Sequence, residues 1–295
     1  MEVEEESFLI DPILPSSGIT LIHGSTDAGK STLMFTLQDA IERGVEFFGM
    51  RATKARTLYV NLDMPQRLFV QRVRKSSPIL QGRVVPYVEA FDVLDAGFKN
   101  TVTYSELKRL GAEADLIIFD TLSDVVAGKM SEEGTVLGVY RVFREWFPEK
   151  AVVFSHHDRK AKWSMGGGGY ADPHDEDALG SGFWRAKAQS ALHLFKVNDV
   201  VREMKHTKSH GGEKYPTGVK MTLDPTGTRM MPYDTALEGA RKWVETETRL
   251  KDTPGWGDLK DAERVKAVAE AAGVSERTAW RWRKTLGEAG VTDVR

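Results

Sequence analysis

The stretch Gly24-Ser25-Thr26-Asp27-Ala28-Gly29-Lys30-Ser31 decides how the fold of this chain is interpreted. It fits the pattern G-x-x-x-x-G-K-[ST] of a phosphate-binding loop, here called the P-loop, whose glycines let backbone N–H groups surround a phosphate. A β-rich apolar run, residues 18–23, precedes the loop, and Leu33, Leu37 and Ile41 follow it at helical spacing. A strand before the loop and a helix after it are the context that supports the motif.

The P-loop predicts a site for ATP and Mg²⁺. Lys30 is expected to reach the β- and γ-phosphates, and the Ser31 hydroxyl is expected to bind Mg²⁺. The residues predicted to hold the nucleotide are Gly24, Ser25, Thr26, Asp27, Ala28, Gly29, Lys30, Ser31 and Thr32.

Composition limits the class of protein. The 295 residues are 41% hydrophobic and 28% charged, as in a globular protein with one large domain or a large and a small one. Because the net charge is −2, any contact with nucleic acid must come from local patches. Cysteine is absent, which excludes disulfides and thiolate chemistry. No run approaches the ~20 apolar residues of a membrane span, and the acidic start is unlike a secretory signal, so we expect a cytoplasmic protein with no membrane contact.

Two predicted strands end in a carboxylate. Residues 57–62 lead to Asp63, and residues 115–119 lead to Asp120 in a run apolar enough for a strand buried on both faces. In open α/β sheets these strand ends face the ligand crevice. Asp120 is therefore predicted to order Mg²⁺, and Asp63 to orient the attacking water or to touch Mg²⁺ through water. Either carboxylate could instead cap the helix that follows it.

A fourth buried strand, residues 151–155, ends in His156-His157-Asp158. Histidines at this position could sense the γ-phosphate or relay its loss, and we assign the sensing role to His156. The alternative is a histidine that packs against the sheet. A metal pair is disfavoured because adjacent strand residues point to opposite faces.

The stretch from residue 159 to residue 182 is long and irregular. Basic residues beside an aromatic suit single-stranded nucleic acid, because the charges follow the phosphates and the ring stacks on a base. The alternative is a mobile surface loop. The residues predicted to contact DNA here are Arg159, Lys160, Lys162 and Trp163.

The last part of the chain predicts edge strands and then a small helical unit. Residues 191–197, 200–205 and 219–224 favour antiparallel strands at the sheet edge. Residues 262–272 and 276–286 are predicted to form a helix-turn-helix, whose second helix would enter a major groove. The alternative is a helical hairpin that packs on the ATPase or on a partner. The cations predicted to contact DNA are Arg277, Arg281, Arg283 and Lys284, interleaved with Trp280 and Trp282.

With these motifs in place, residues 8–225 resemble the RecA-type ATPases of the RepA-like group, the hexameric replicative helicases of plasmids and phages. The matching segments, in chain order, are 24–31 (Walker A), 58–63 (the strand carrying the catalytic acid), 116–122 (Walker B), 155–157 (the histidine-ended strand), Gly180-Ser181 with Arg185 (the arginine finger) and 208–211 (a turn at the subunit interface).

The resemblance implies ATP hydrolysis at subunit boundaries, coupled to loops that grip single-stranded DNA in a central pore. It implies that Arg185 acts on the neighbouring subunit and that Lys208 adds a nucleotide contact. The group usually has Glu where Asp63 stands, and the shorter side chain favours slow hydrolysis or an ATP-switch role. The implied catalytic set is Lys30, Asp63, Asp120, His156 and Arg185.

We therefore predict an α/β fold: a RecA-like P-loop ATPase core with a mostly parallel sheet and antiparallel edge strands (residues 1–245), a linker (246–257) and a small all-α helix-turn-helix domain (258–295). The predicted function is an ATP-hydrolysing, ring-forming, helicase-like replication protein that acts on single-stranded DNA as a homo-oligomer, a hexamer by resemblance. A single-strand recombinase, or an ATP-gated DNA-binding regulator or helicase loader with duplex contacts at its C-terminal domain, are the alternatives.

Overall fold

The computed structural model describes residues 7–76, 84–158, 182–210, 213–224, 227–233 and 235–288. The chain divides into two compact units, Met1–Pro232 and Tyr233–Arg295. The DNA contacts predicted at Arg159, Lys160, Lys162 and Trp163 lie outside the described residues.

The first unit is built on a nine-stranded sheet. The strands are β1 (Phe8–Ile10), β2 (Leu14–Pro15), β3 (Gly18–Gly24), β4 (Thr57–Asn61), β5 (Val84–Val85), β6 (Leu116–Asp120), β7 (Ala151–His157), β8 (Ser190–Lys196), β9 (Val201–Ser209), β10 (Val219–Leu223) and β11 (Met230–Pro232). β1 and β2 form a separate antiparallel pair, and the main sheet has the order β11-β10-β9-β8-β3-β7-β6-β4-β5. The strands from β8 to β5 in this order are parallel, and β9, β10 and β11 add to the edge in antiparallel fashion. The predicted α/β sheet with antiparallel edge strands is confirmed.

Helices connect these strands and form the second unit. They are α1 (Lys30–Arg43), α2 (Gln66–Ser76), α3 (Val102–Ala112), α4 (Glu133–Trp146), α5 (Phe183–Lys187), α6 (Thr235–Leu250), α7 (Asp261–Ala272) and α8 (Glu276–Glu288). None of the helices in the described ranges combines the length and the apolar character needed to cross a bilayer.

The sheet of the first unit is covered on both faces. Alternate residues of β6 enter different apolar clusters: Ile118 packs with the cluster that contains Leu37 of α1, whereas Ile117 packs with the cluster that contains Phe143 of α4. Successive strand residues point to opposite faces, so a strand covered on both sides needs apolar residues at every position. This explains the continuous apolar run that ends at Asp120.

The second unit has its own core, in which Trp243 of α6 packs with Trp256 and with Val265 and Val268 of α7. Gly273, at φ 65°, ends α7, and the Ser275 hydroxyl accepts the Thr278 N–H (3.2 Å) at the start of α8. The division after Pro232 lies earlier than the predicted boundary after residue 245, because α6 packs with α7 and α8. The predicted linker, residues 246–257, contains the end of α6 and the buried Trp256.

Candidate nucleotide site

The P-loop joins β3 to α1 by backbone conformations that open it to a ligand. Asp27 and Gly29 have φ angles of 64° and 97°, and Gly29 immediately precedes α1. Gly24 must lack a side chain, since a Cβ there would lie 2.1 Å from the Leu194 carbonyl oxygen of β8. The loop therefore places backbone N–H groups and a helix N-terminus at the mouth of the sheet, an arrangement suited to anions.

Lys30 lies across the loop and is buried. Its Nζ donates to the carbonyl oxygens of Gly24 (2.8 Å) and Ser25 (2.9 Å) and lies 3.3 Å from Nδ1 of His157. Burial lowers the pKa of Lys30, and the nearby carboxylates, Asp120 foremost, oppose that shift. The ammonium group is thus held by loop carbonyls beside the position expected for phosphate.

Asp120, at the end of β6, is held by two hydroxyl donors. Tyr59 donates to its Oδ2 (2.6 Å), and Ser155 donates to its Oδ1. The Tyr59 hydroxyl also hydrogen-bonds to Ser31, and burial, with the Asp120 charge second, raises the pKa of Tyr59. Ser31 and Asp120 are therefore joined through Tyr59, whose role the sequence did not reveal. The oxygen donors Ser31 and Asp120 are the ligand type that Mg²⁺ prefers.

Asp63 follows β4 at the same sheet edge and is exposed. Its backbone N–H donates to the Asp120 carbonyl oxygen (3.2 Å), which aligns the two strand ends. A third carboxylate, Asp124, lies close by: burial first, and then Asp63 and Asp120, raise its pKa. The structure thus brings together the two carboxylates expected from the strand ends and adds one that was missed.

The two adjacent histidines of β7 have different surroundings. His156 is fully buried and packs on Trp184, with ring centroids 6.0 Å apart, whereas His157 lines the cavity beside Lys30. Neighbouring strand residues point to opposite faces, so only one of the pair can face the ligand. The structure therefore places His157, rather than the predicted His156, at the site. Burial, with the Lys30 charge second, lowers the pKa of His157.

A buried group lies directly beneath the P-loop. Asp158 contacts Nδ1 of His23 (2.8 Å) and Nε2 of His193 (3.1 Å), and the two imidazole rings stack 4.5 Å apart. The three side chains are close enough to share a metal ion. A metal-bound histidine, however, normally donates its other N–H to a partner, and Nε2 of His23 is buried with no hydrogen-bond partner among the described residues. We therefore interpret the group as a hydrogen-bonded clamp on β3, β7 and β8.

The P-loop opens into a cavity of about 460 Å³, a volume typical of small-molecule sites. Its lining contains three cations that the motifs did not predict: Arg72 of α2, Lys196 of β8 and Arg202 of β9. The predicted residues that it gathers are Thr26, Asp27, Gly29, Lys30, Ser31, Thr32, Asp63 and Asp120. A second cavity of similar volume, at α4 and α5, contains none of the predicted site residues.

The remaining predicted residues lie elsewhere. Arg185 and Lys208 are close enough to influence each other, and Lys208 donates to the Ala186 carbonyl oxygen, but neither lines the cavity of its own chain. On α8 of the second unit, Arg277, Arg281 and Lys284 are exposed. Arg283 instead pairs with Asp261 (2.6 Å) of α7.

A family model described as an AAA domain matches residues 2–162, more than half of the chain. The chain belongs to the AAA domain family. Among solved structures, the ATPase domain of a helicase superposes with a TM-score of 0.53 at 10% identity, covering 74% of this chain and 86% of that one. Flagellar accessory protein FlaH from Methanocaldococcus jannaschii overlaps more loosely, with a TM-score of 0.48 at 15% identity and coverage of 76% and 92%. No curated protein sequence matches the chain.

Family and fold together make the protein a RecA-like P-loop ATPase. The family implies that the protein uses a nucleotide, and the cavity at Lys30 is where the chain provides for one.

Proposed function

We propose that this AAA-family protein is an ATP-hydrolysing motor that forms a ring and acts on single-stranded DNA, as a helicase-like replication protein. The observation that carries the proposal is the cavity, which combines Lys30, Ser31, Asp63, Asp120 and His157 at one sheet edge. These residue types at these positions suit phosphoryl transfer to water.

The chain's own residues divide the work of hydrolysis. Lys30 binds the β- and γ-phosphates, Asp63 orients the attacking water, and His157 contacts the γ-phosphate side of the site. Ser31 and Asp120 would hold Mg²⁺, which neutralises phosphate charge when bound. The Tyr59 and Ser155 hydroxyls keep the Asp120 carboxylate ionised and oriented.

Ring formation is supported by the placement of Arg185. This residue lies with Lys208 outside the cavity of its own chain, as expected if both act on the nucleotide of a neighbouring subunit. A head-to-tail interface that closes on itself generates a ring.

Mixing two inactive variants tests the shared site. Lys30→Ala should lack a functional P-loop, and Arg185→Ala should lack the finger. In random mixed rings, about one quarter of the interfaces would join an intact P-loop to an intact Arg185, so ATPase activity should reappear. A mixture that stays as inactive as its components would contradict action in trans. Lys205→Ala, an exposed lysine on β9, serves as the active control.

Unwinding of a forked DNA with a 5′ or 3′ tail tests the motor. ATP-dependent strand separation that requires Lys30 is the expected result. Strand exchange or annealing without unwinding would instead support a recombinase.

A second candidate function, an ATP-gated DNA-binding regulator or loader, is favoured by α8. Arg277, Arg281 and Lys284 lie three or four residues apart, and so share one helix face with Trp280, whose side chain is 46% exposed. That face suits a DNA backbone or major groove. In the full-length protein, Arg277→Ala/Arg281→Ala should weaken duplex binding and flatten its salt dependence by about 0.9 per lost phosphate contact. If the regulator is correct, duplex binding stays tight while DNA barely stimulates ATP turnover.

A further inference from the structure

Arg202 of β9 is a buried cation with unused hydrogen-bonding capacity. Its side chain is 7% exposed, and its Nε has no hydrogen-bond partner among the described residues. One guanidinium nitrogen makes a long contact, 3.4 Å, with the Val200 carbonyl oxygen. No carboxylate in the described part of the chain forms an ion pair with it.

Such an environment is unfavourable for a guanidinium group unless something else completes it. A buried charge that lacks a partner carries a large desolvation cost, and natural proteins normally pair it or bond it fully. Burial lowers the pKa of Arg202, yet arginine starts so high that it stays charged at neutral pH. An anionic ligand would supply the missing partner.

The position of Arg202 identifies which anion can reach it. Arg202 lines the P-loop cavity, and its Nε lies 3.4 Å from the point where a Cβ on Gly29 would stand. The guanidinium group is therefore next to the backbone that opens α1, the part of the loop that cradles phosphate.

The sheet order separates Arg202 from the hydrolytic residues. β9 and β8 lie on one side of the P-loop strand β3, whereas β6 and β4, which carry Asp120 and lead to Asp63, lie on the other side. The γ-phosphate belongs with these carboxylates. Arg202 is therefore placed for the phosphates that ATP and ADP have in common.

We propose that Arg202 is a nucleotide-binding residue that, within its own subunit, pairs with the α- and β-phosphates shared by ATP and ADP. This inference rests on a nucleotide occupying the P-loop cavity, as the proposed function requires. Arg202 acts in cis and on both nucleotides, which distinguishes it from Arg185, proposed to act in trans on the γ-phosphate.

Nucleotide affinity measured calorimetrically on the full-length protein, with MgADP and a non-hydrolysable MgATP analogue as the probes, tests the assignment. Arg202→Met keeps the apolar stem and removes the charge, so the Kd for both probes should rise about tenfold or more, as expected for a lost charge-assisted hydrogen bond. Arg202→Lys should give a smaller increase for both, because a lysine cannot reproduce the planar fork. Lys205→Ala, on the same strand but exposed, should leave both values unchanged.

The outcomes separate this inference from the proposed function. An unchanged MgADP affinity in Arg202→Met would overturn the assignment, as would a loss confined to the ATP analogue, which would indicate a γ-phosphate contact. If Arg202→Met does not fold, as judged by circular dichroism, the Arg202→Lys values decide in the same way. Lys30→Ala should abolish binding of both probes. If it binds normally, the nucleotide lies elsewhere and the proposed function itself is wrong.

Discussion

The two sides of the P-loop differ in how complete they are without a ligand. On the side of β6 and β4, here called the acidic side, Asp120 accepts hydrogen bonds from Tyr59 and Ser155. On the side of β8 and β9, here called the basic side, Arg202 has no carboxylate partner among the residues that the structure describes. One side has its charge already stabilised by protein donors, whereas the other has a charge that only a ligand can complete.

This difference indicates a division of labour within one cavity. Groups held in place before the ligand arrives need no rearrangement during the reaction, which is how enzymes stabilise developing charge. A cation that is poorly compensated in the free protein gains most when an anion binds, which favours affinity. The acidic side should therefore govern turnover, and the basic side should govern nucleotide binding.

The largest effect should come from neutralising the acidic side. Asp120→Asn preserves shape but removes the charge, so kcat at saturating MgATP should fall about a thousandfold or more, while ADP affinity changes less than about threefold. The matched control is Asp115→Asn at the other end of the Asp115–Asp120 segment, an exposed carboxylate near Arg56. A kcat for Asp120→Asn within tenfold of the wild-type value would remove Asp120 from the mechanism.

A smaller effect should follow from removing one donor to Asp120. Tyr59→Phe should lower the free energy of unfolding by about 1–2 kcal/mol and kcat by about tenfold, because the carboxylate loses orientation. Tyr140→Phe is the matched control, since Tyr140 is also buried and donates to a carbonyl oxygen, that of Trp184 (2.6 Å), away from the P-loop cavity.

Denaturation curves and steady-state kinetics on both variants separate the two contributions. Equal loss of stability with loss of kcat only in Tyr59→Phe is expected. If both variants lose kcat equally, Tyr59 has no special connection with Asp120.

The acidic side could be predicted largely from the sequence, and the basic side could not. The P-loop is a contiguous motif, and a carboxylate at the end of an apolar run is visible without knowing what lies beside it. Arg202 reaches the cavity only because β9 pairs in antiparallel fashion with β8 next to the P-loop strand, and that pairing is a long-range property. Tyr59 was missed for the same reason, as it meets Asp120 across two neighbouring strands.

Two other differences have equally local causes. Choosing between His156 and His157 requires knowing which face of β7 meets the ligand, and the sequence shows only that adjacent residues alternate. Helix α6 was correctly expected, but its amphipathic pattern does not say which unit covers its apolar side. The structure shows that Trp243 packs with α7, which moves the division of the chain to Pro232.

The clamp beneath the P-loop connects the two sides and should make stability depend on pH. Burial lowers the pKa of His23; the neighbouring Asp158 opposes this shift, whereas His193 and Arg185 add to it. The unfolded chain therefore binds the proton more readily than the folded protein. His23 consequently lowers the free energy of unfolding as the pH falls below about 6.5, by at most about 1.4 kcal/mol per pH unit.

Urea denaturation between pH 5 and pH 8 measures this dependence. His23→Asn keeps a donor toward Asp158 but cannot titrate, so its stability should fall less steeply on acidification than that of the wild type. His210→Asn, at an exposed position, should keep the wild-type slope. Parallel curves for wild type and His23→Asn would show that His23 does not titrate in this range.

The smallest effect, but the one with the most informative sign, concerns Arg202 in the ligand-free protein. A buried guanidinium without an anion costs stability, whereas a methionine can keep the contact of the apolar stem with the Gly29 and Met230 region. Arg202→Met should therefore raise the free energy of unfolding of the nucleotide-free protein by about 0.5–1 kcal/mol. The same change should reduce the extra stability gained at saturating MgADP, because that gain follows the affinity. A variant that is less stable in both states would show that Arg202 is already satisfied by the protein, and the contrast between the two sides would then have no basis.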